Sequence, residues 1–293
     1  MSKSLRHVAK WILRNTLISN ESLTPELRLR LITEQSSLWR STPDRCPFAD
    51  PFWAFYWPGG QAVTRQVSGV LPFYPGNGLY ILDNPCLFNG ANVLDFGCGC
   101  GSASIAASIA GANVVANDID TSEPFIHLFG EEQRTLAEGI IQEHFVILKK
   151  KHKYKTLLKK DGIEDALVAT AVNYRLNAVP TTQTRFVADN MLESEDNRTT
   201  HAFLKAGKSF VVLGDMFYDT EFAEKVLTWL KRIKESTGAR ILIGDPNRHP
   251  LAEEQLRRYK TRVIKKQLAG YSIPDSVMRE HYGFSAVNVI ELQ

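Results

Sequence analysis

The sequence predicts an α/β fold, a mostly parallel, doubly wound sheet of seven strands with helices on both faces, preceded by a helical extension. Three observations predict it. Residues 92–101 read NVLDFGCGCG, an apolar run that enters Asp95, Gly97, Gly99 and Gly101 and is followed by the helix-like SASIAASIA. Strand-like and helix-like stretches then alternate as far as Pro246, the pattern of parallel strands joined by crossover helices. The last two regular segments, VIKKQL and SAVNVIEL, read as a closing strand pair.

Composition narrows the classes. With 293 residues, 44% hydrophobic and 23% charged, the chain is ordinary for a globular protein and long enough for one large domain with attachments or two small ones. No apolar run approaches the ~20 residues of a membrane span. A formal net charge of +3 is too small to argue for nucleic acid. Cys98 and Cys100 lie inside the glycine turn, where bridging near neighbours strains disulfide geometry, so a reducing compartment is expected. Their C-x-C spacing has no His or Cys partners placed for a metal site, and none is expected.

From the amino terminus, Lys3, Arg6, Lys10 and Arg14 precede any acid, with Leu5, Val8, Trp11 and Ile12 near helical spacing between them. That pattern fits either a short mitochondrial presequence or a basic surface helix. In SLTPELRLRLIT, Thr24 reads as an N-cap and Pro25 as the first residue of a helix. Residues 40–60 are rich in Pro, Trp and Phe. The organisation is thus a 1–60 extension with a Trp/Pro-rich segment, then a 61–293 sheet domain. A helix is expected from Gln61 to about Val70.

The first strand is NVLDF, and ANVVAND, TRFVADN, SFVVLGD and ARILIGDP supply the next four. TEFAEKVLTWLKRIKES sets Phe222, Val226, Leu230 and Ile233 on one face and has Gly238 past its end, an amphipathic helix with a stop. EDALVATAVNYRLNAV and LAEEQLRRYK also read as helices. One connection breaks the rhythm: Asp118 and Thr184 are more than sixty residues apart, where a helix and two loops need about thirty. The excess, about 121–162, contains the basic run LKKKHKYKTLLKK, which fits a solvated loop or a contact with an acidic partner.

In a doubly wound sheet, ligands sit outside the carboxyl ends of the strands. Glycines there let backbone lie directly against a ligand. The spacing G-x-G-x-G departs from the dinucleotide pattern G-x-G-x-x-G, whose third glycine would fall at Ser102, and this disfavours a nicotinamide-dependent dehydrogenase. Asp118, ending the second strand, could accept both ribose hydroxyls of a nucleoside. Asp189 and Asn190, ending the third, suit an adenine amino group. Asp215 ends the fourth and leads into Met216, Phe217 and Tyr218. Any one such acid is commonly a cap or turn residue; with Asp95 ending the first strand, four at adjacent strand ends are expected to converge on one crevice.

VLDFGCGCG followed by NDID resembles the first motif and second-strand acid of class I, seven-β-strand S-adenosylmethionine-dependent methyltransferases, whose fold is Rossmann-like. WPGGQAV and GDMFYD resemble the protein-lysine methyltransferase branch, which carries a D-x-x-Y type motif after this strand. SLTPELRLRLIT, DPFWAFYWPGGQA, ANDID, LGDMFYD and RILIGDP are similar to segments of the members that act on the beta subunit of electron transfer flavoprotein. The similarity runs from Ser22 to Pro246, interrupted by the excess segment. That segment has no counterpart in the family pattern and is either a lineage-specific loop or a gene-model artefact such as a retained intron.

The resemblance implies S-adenosylmethionine as cofactor, protein lysines as substrate, that beta subunit as partner, and the mitochondrial matrix as compartment, with the cytoplasm as alternative. It places Asp95 at the approach to the turn, Gly97, Gly99 and Gly101 against the methionine part, Asp118 at the ribose, and Asp189 or Asn190 at the adenine. Trp57 and Gly59 would cover the cofactor, although Trp57 also suits plain core packing. The accepting amine must be neutral, whereas free lysine titrates near ~10.4. Asp215 is expected to orient the incoming ammonium and help pass its proton to water, with Tyr218 and Phe217 walling the channel. Rival readings are a different protein or small amine as acceptor, and a non-catalytic binding module whose site the excess loop spoils.

Overall fold

The computed structural model describes residues 5–42, 46, 48, 51–65, 85–119, 165–193, 198–281 and 283–293. A seven-stranded sheet forms the centre, built from β3 (Asn92–Phe96), β4 (Asn113–Asn117), β5 (Thr184–Val187), β6 (Ser209–Gly214), β7 (Arg240–Asp245), β8 (Lys265–Ser272) and β9 (Ala286–Leu292). Their order across the sheet is β5-β4-β3-β6-β7-β9-β8. The first five run parallel; β9 pairs antiparallel with β7, and β8 antiparallel with β9. Chain order therefore steps outward from β3 in one direction and resumes at β6 in the other, which places the topological switch between those two strands.

The central strands are apolar on both faces because helices cover both. Leu94, Val211, Leu213, Ile241 and Ile243 pack with Val226, Leu227, Leu230 and Ile233 of the helix Thr220–Thr237. Their alternates Val93, Phe210, Val212 and Leu242 pack with Ala103, Ala106 and Ala107 of the helix Ser102–Ile109. The Thr220–Thr237 helix has the predicted stop, with Gly238 left-handed at φ 73, and Asp219 accepts the Phe222 N–H as its N-cap at 2.8 Å. The helix Asp165–Leu176 is buried nearly all round, since it lies between the sheet domain and the amino-terminal layer.

Four expectations change. No helix starts at Pro25: a single turn closes with Leu27 N–H donating to the Thr24 carbonyl, and β2 (Leu29–Leu31) pairs antiparallel with β1 (Leu17–Ser19). The preference for strand comes from tertiary partners, because Asn177 and Asn173 side chains accept the Arg28 and Arg30 N–H groups at 2.9 and 2.8 Å. The helix expected from Gln61 begins earlier, at Pro58, and is described to Thr64, so it crosses the boundary set at residue 60; residues 66–70 lie outside the described residues. LAEEQLRRYK divides into a 3-10 turn, His249–Leu251, and a short helix, Glu253–Arg258. TRFVADN leaves the sheet at Val187. The excess segment at 121–162 lies outside the described residues.

The basic amino-terminal stretch is the helix Leu5–Asn15. Val8, Ala9 and Ile12 are buried with Ala166, Val168 and Val172 of the Asp165–Leu176 helix. Arg30 ties down its end by donating to the Leu13 and Thr16 carbonyls at 3.0 and 2.9 Å. The segment is thus part of the core in this structure.

Candidate functional site

The carboxyl ends of the parallel strands β3, β4, β6 and β7 lie along one edge of the sheet at the switch point, where doubly wound folds bind their ligands. The turn after β3 needs its glycines. Gly97, Gly99 and Gly101 have φ of 70, 51 and 82, a region that suits glycine. A Cβ on Gly97 would lie 2.5 Å from the Met216 sulfur, and one on Gly101 would lie 2.4 Å from the Thr170 methyl. At Gly99 the nearest neighbour would be the Trp53 backbone at 3.7 Å, an ordinary van der Waals contact.

The turn is held from three sides. Asn117, at the end of β4, accepts the Gly97 and Cys98 N–H groups on its carbonyl, both at 2.9 Å. Its buried side-chain amide donates to the Val187 and Asp189 carbonyls at 2.9 and 3.0 Å, which ties β5 into the same corner. From the opposite side, Thr170 donates to the Gly99 carbonyl at 3.0 Å and Asn173 to the Cys100 carbonyl at 2.9 Å. Asn117, Thr170 and Asn173 escaped the sequence reading. Asn117 precedes the acid that drew attention, and the other two look like polar interruptions in an apolar helix.

Asp118 is half-buried beside the turn, where one oxygen accepts the Gly99 N–H and the other its own neighbour Ile119 N–H, each at 2.8 Å. The turn and the following backbone thus fix the orientation of this carboxylate at the end of β4. Asp189 is exposed and Asn190 half-buried at the β5 end, with the Asn190 side chain accepting the Leu192 N–H at 3.2 Å. The backbone of the turn and the acid beside it are the features that would meet a nucleoside with an attached flexible chain.

Asp95 points elsewhere. Its carboxylate is buried and accepts both the Ser104 N–H at 2.9 Å and the Ser104 hydroxyl at 2.6 Å, so it braces the first turn of the Ser102–Ile109 helix from beneath. Burial pushes this acid up to about 7, opposed by the Ser104 bonds and reinforced by the charge of Asp118. It is a support for the turn, not a wall of the crevice. Burial likewise raises the Cys98 and Cys100 thiols, the second to about 12, which keeps both protonated and inert.

The other half of the site corrects three expectations. Asp215 is buried, with the left-handed φ of 57, and both its oxygens are engaged. Oδ1 receives Arg248 through Nη2 at 2.8 Å and Nε at 3.2 Å, while Oδ2 accepts the Gly59 N–H in a short contact. Burial pushes its carboxyl up, against the pull of Arg248 and the Gly59 and Gly60 amides. It therefore pins the start of the Pro58–Thr64 helix rather than standing free for an incoming ammonium. Phe217 is 0% exposed in the sheet core, because alternation along the chain turns it inward and Tyr218 outward. Tyr218 is 63% exposed and stacks on Phe222 at 5.3 Å, and burial, then the charges of Asp219 and Asp118, push its phenol up.

Gly59 is a packing glycine. A Cβ there would lie 2.2 Å from the Gly244 carbonyl oxygen and 2.5 Å from Asp215, while Gly214 touches Gly60 in the same manner. The Pro58–Thr64 helix thus rests backbone to backbone on the ends of β6 and β7. Trp57 is half-buried, donates its indole N–H to the Phe52 carbonyl at 3.0 Å, and packs on His281 at 5.0 Å. The residue from this segment beside the glycine turn is Trp53, whose backbone lies next to Gly99. Among the described residues no three His, Cys, Asp or Glu side chains converge as a metal site would require.

No protein-family model matches the chain. The curated electron transfer flavoprotein beta subunit lysine methyltransferase homolog of Caenorhabditis elegans is 43% identical over 298 residues, covering 100% of this chain and 99% of its own length. The electron transfer flavoprotein beta subunit lysine methyltransferases of Xenopus laevis and Homo sapiens are 34% and 31% identical, covering 94% and 92% of this chain and 82% and 76% of their own.

Proposed function

The chain belongs to the electron transfer flavoprotein beta subunit lysine methyltransferase family, and from that membership we propose that it methylates lysine side chains of that beta subunit, with S-adenosylmethionine as donor, in the mitochondrial matrix. The observation that carries the reading is 43% identity along the whole length of a relative so named, combined with a crevice that fits the donor.

When bound, S-adenosylmethionine supplies an electrophilic methyl on a positively charged sulfur. The chain's own residues do the rest. The backbone of Gly97 to Gly101, fixed by Asn117, Thr170 and Asn173, would hold the methionine part, and Asp118 would accept the ribose hydroxyls. On the acceptor side, Asp215 and Arg248 hold the Pro58–Thr64 helix against β6 and β7, which fixes the wall past which the lysine enters. Tyr218 presents an aromatic face at the mouth, suited to the amine in each methylation state. The amine sheds its proton to water there, favoured by the adjoining sulfonium charge. Holding amine and methyl in line provides most of the acceleration, since the leaving group is already a good one.

The matrix assignment draws on the family resemblance alone. Incubating the protein with isotopically labelled donor and recombinant flavoprotein, followed by peptide mass spectrometry, tests the substrate. Label on lysines of the beta subunit supports the reading. Transfer to other proteins alone would move the acceptor, and binding of S-adenosylhomocysteine without any transfer would leave a binding module. Fractionation of cells expressing a carboxyl-terminally tagged chain tests the compartment.

A further inference from the structure

One ionisable group at the acceptor end has no part in the arrangement above. Asp245 closes β7 beside Asp215, which follows β6: Gly214 and Gly244 are in register, and the Asp215 N–H donates to the Gly244 carbonyl at 3.0 Å. Asp245 is 3% exposed. Its Oδ2 accepts the Arg248 backbone N–H at 2.7 Å, whereas its Oδ1 is enclosed and has no hydrogen-bond partner among the described residues.

The charges at this corner do not cancel. Arg248 brings one positive charge, and its guanidinium is committed to Asp215 Oδ1. That pair is neutral together, which leaves Asp245 as a second acid facing a cation already matched. The charged groups that act on Asp245 are Asp215 and Arg248. Asn288, its register partner on β9, and Asn247 carry no charge. His281, which also feels Arg248, is held neutral because burial pushes it down to about 4. Among the described residues the corner therefore bears a net negative charge whenever Asp245 is ionised.

We infer that Asp245 is a specificity-determining residue of the lysine-methylating site: its carboxylate, in excess after Arg248 matches Asp215, supplies the field that draws a cationic side chain to the acceptor end. It acts through space, as its enclosed Oδ1 requires, and so selects ammonium-bearing acceptors over neutral ones of the same shape. Burial, more than the neighbouring Asp215, raises this acid to about 7, against the Arg248 and Asn247 amides. The attraction accordingly grows as pH rises through neutrality.

The inference rests on the proposed lysine transfer, and one experiment separates the two. Asp245→Asn keeps the shape and the acceptor for the Arg248 N–H while removing the charge. At pH 8 the KM for the flavoprotein beta subunit is expected to rise about tenfold with kcat within about twofold, the size of effect one unmatched buried charge has on a charged partner. At pH 6 the two KM values should converge, because the native acid is then protonated. A KM ratio near one at both values overturns the inference, as does an equal rise at both, which a purely structural role would produce. Should the variant fail to fold, the native enzyme gives the answer: butylammonium should compete with the protein substrate several-fold better at pH 8 than at pH 6, and butanol should not. Equal competition at the two values overturns the inference. A native enzyme that labels no lysine refutes the reading beneath it as well, whereas native transfer with an unchanged KM in the variant refutes this step alone.

Discussion

Gly59→Ala and Gly60→Ala place the same methyl group on adjacent residues of one helix, and the structure assigns them opposite outcomes. At Gly60 the new carbon would meet Tyr56 at 3.7 Å, ordinary contact. At Gly59 it would lie 2.2 Å from the Gly244 carbonyl oxygen, so that reaching even a tight 3.4 Å requires a shift of 1.2 Å between helix and sheet. The obstacle is the backbone of β7, held between β6 and β9 within the sheet, with no side chain to rotate aside. Overpacking of this kind costs about 3 kcal/mol at the upper end of its range. Removing a helical glycine returns up to about 1 kcal/mol. The net loss of about 2 kcal/mol corresponds to a fall of about 4–8 °C in Tm for a chain of this size, against a rise of up to about 2–4 °C for the control. The same shift pulls the Gly59 N–H away from Asp215 and so loosens the partner of Arg248. Thermal unfolding with and without S-adenosylhomocysteine, together with KM for the protein substrate, measures both consequences. Equal Tm values for the two variants would refute the backbone-contact argument.

Asp118→Asn is expected to weaken S-adenosylhomocysteine binding by about 10- to 100-fold, the worth of charge-assisted bonds to a ribose, while calorimetry showing less than a twofold change would remove Asp118 from that role. Phe217→Ala should cost about 3–5 kcal/mol of stability with little change in KM, and Tyr218→Ala should leave Tm nearly unchanged but lower turnover; the reverse pattern in melting and initial-rate assays would contradict their observed burial. Stability should also depend on Asp95. Its acid is raised from 3.8 to about 7 in the folded chain, so the folded state keeps a proton that the unfolded chain releases, and stability falls as pH rises from about 4 to 7. The contribution is about 4 kcal/mol across that window, and urea titrations of Asp95→Asn should show a correspondingly flatter pH profile.

Much of the fold was legible because each strand of the sheet is punctuated. NVLDF, NVVAN, SFVVLG and RILIGD are apolar runs that end in a polar or glycine signal, and buried parallel strands need little more. The Thr220–Thr237 helix carried its own stripe and both of its caps. SLTPELRLRLIT was misread because its outcome depends on Asn173 and Asn177, nearly 150 residues away, whose side chains satisfy the strand backbone. A local N-cap signal at Thr24 has no means of reporting that; in the fold, Thr24 bonds the Tyr56 hydroxyl at 2.9 Å instead.

The same distinction divides the site. On the β3–β4 side, the chemistry resides in backbone conformation and in one acid next to it, and a glycine run with an acid at the following strand end announces both. On the β6–β7 side, each residue's role depends on what it meets across the sheet. Asp215 resembles an available carboxylate until Arg248, from the loop after β7, occupies it, and Phe217 and Tyr218 are interchangeable aromatics until the backbone turns one inward. Gly59 and Gly244 are nearly two hundred residues apart, and only their contact explains why both lack a side chain. The acceptor half of this crevice is therefore a tertiary construction. Its electrostatics follow from counting Asp215, Asp245 and Arg248 together: no one of the three, taken alone, gives the charge that an approaching lysine would meet.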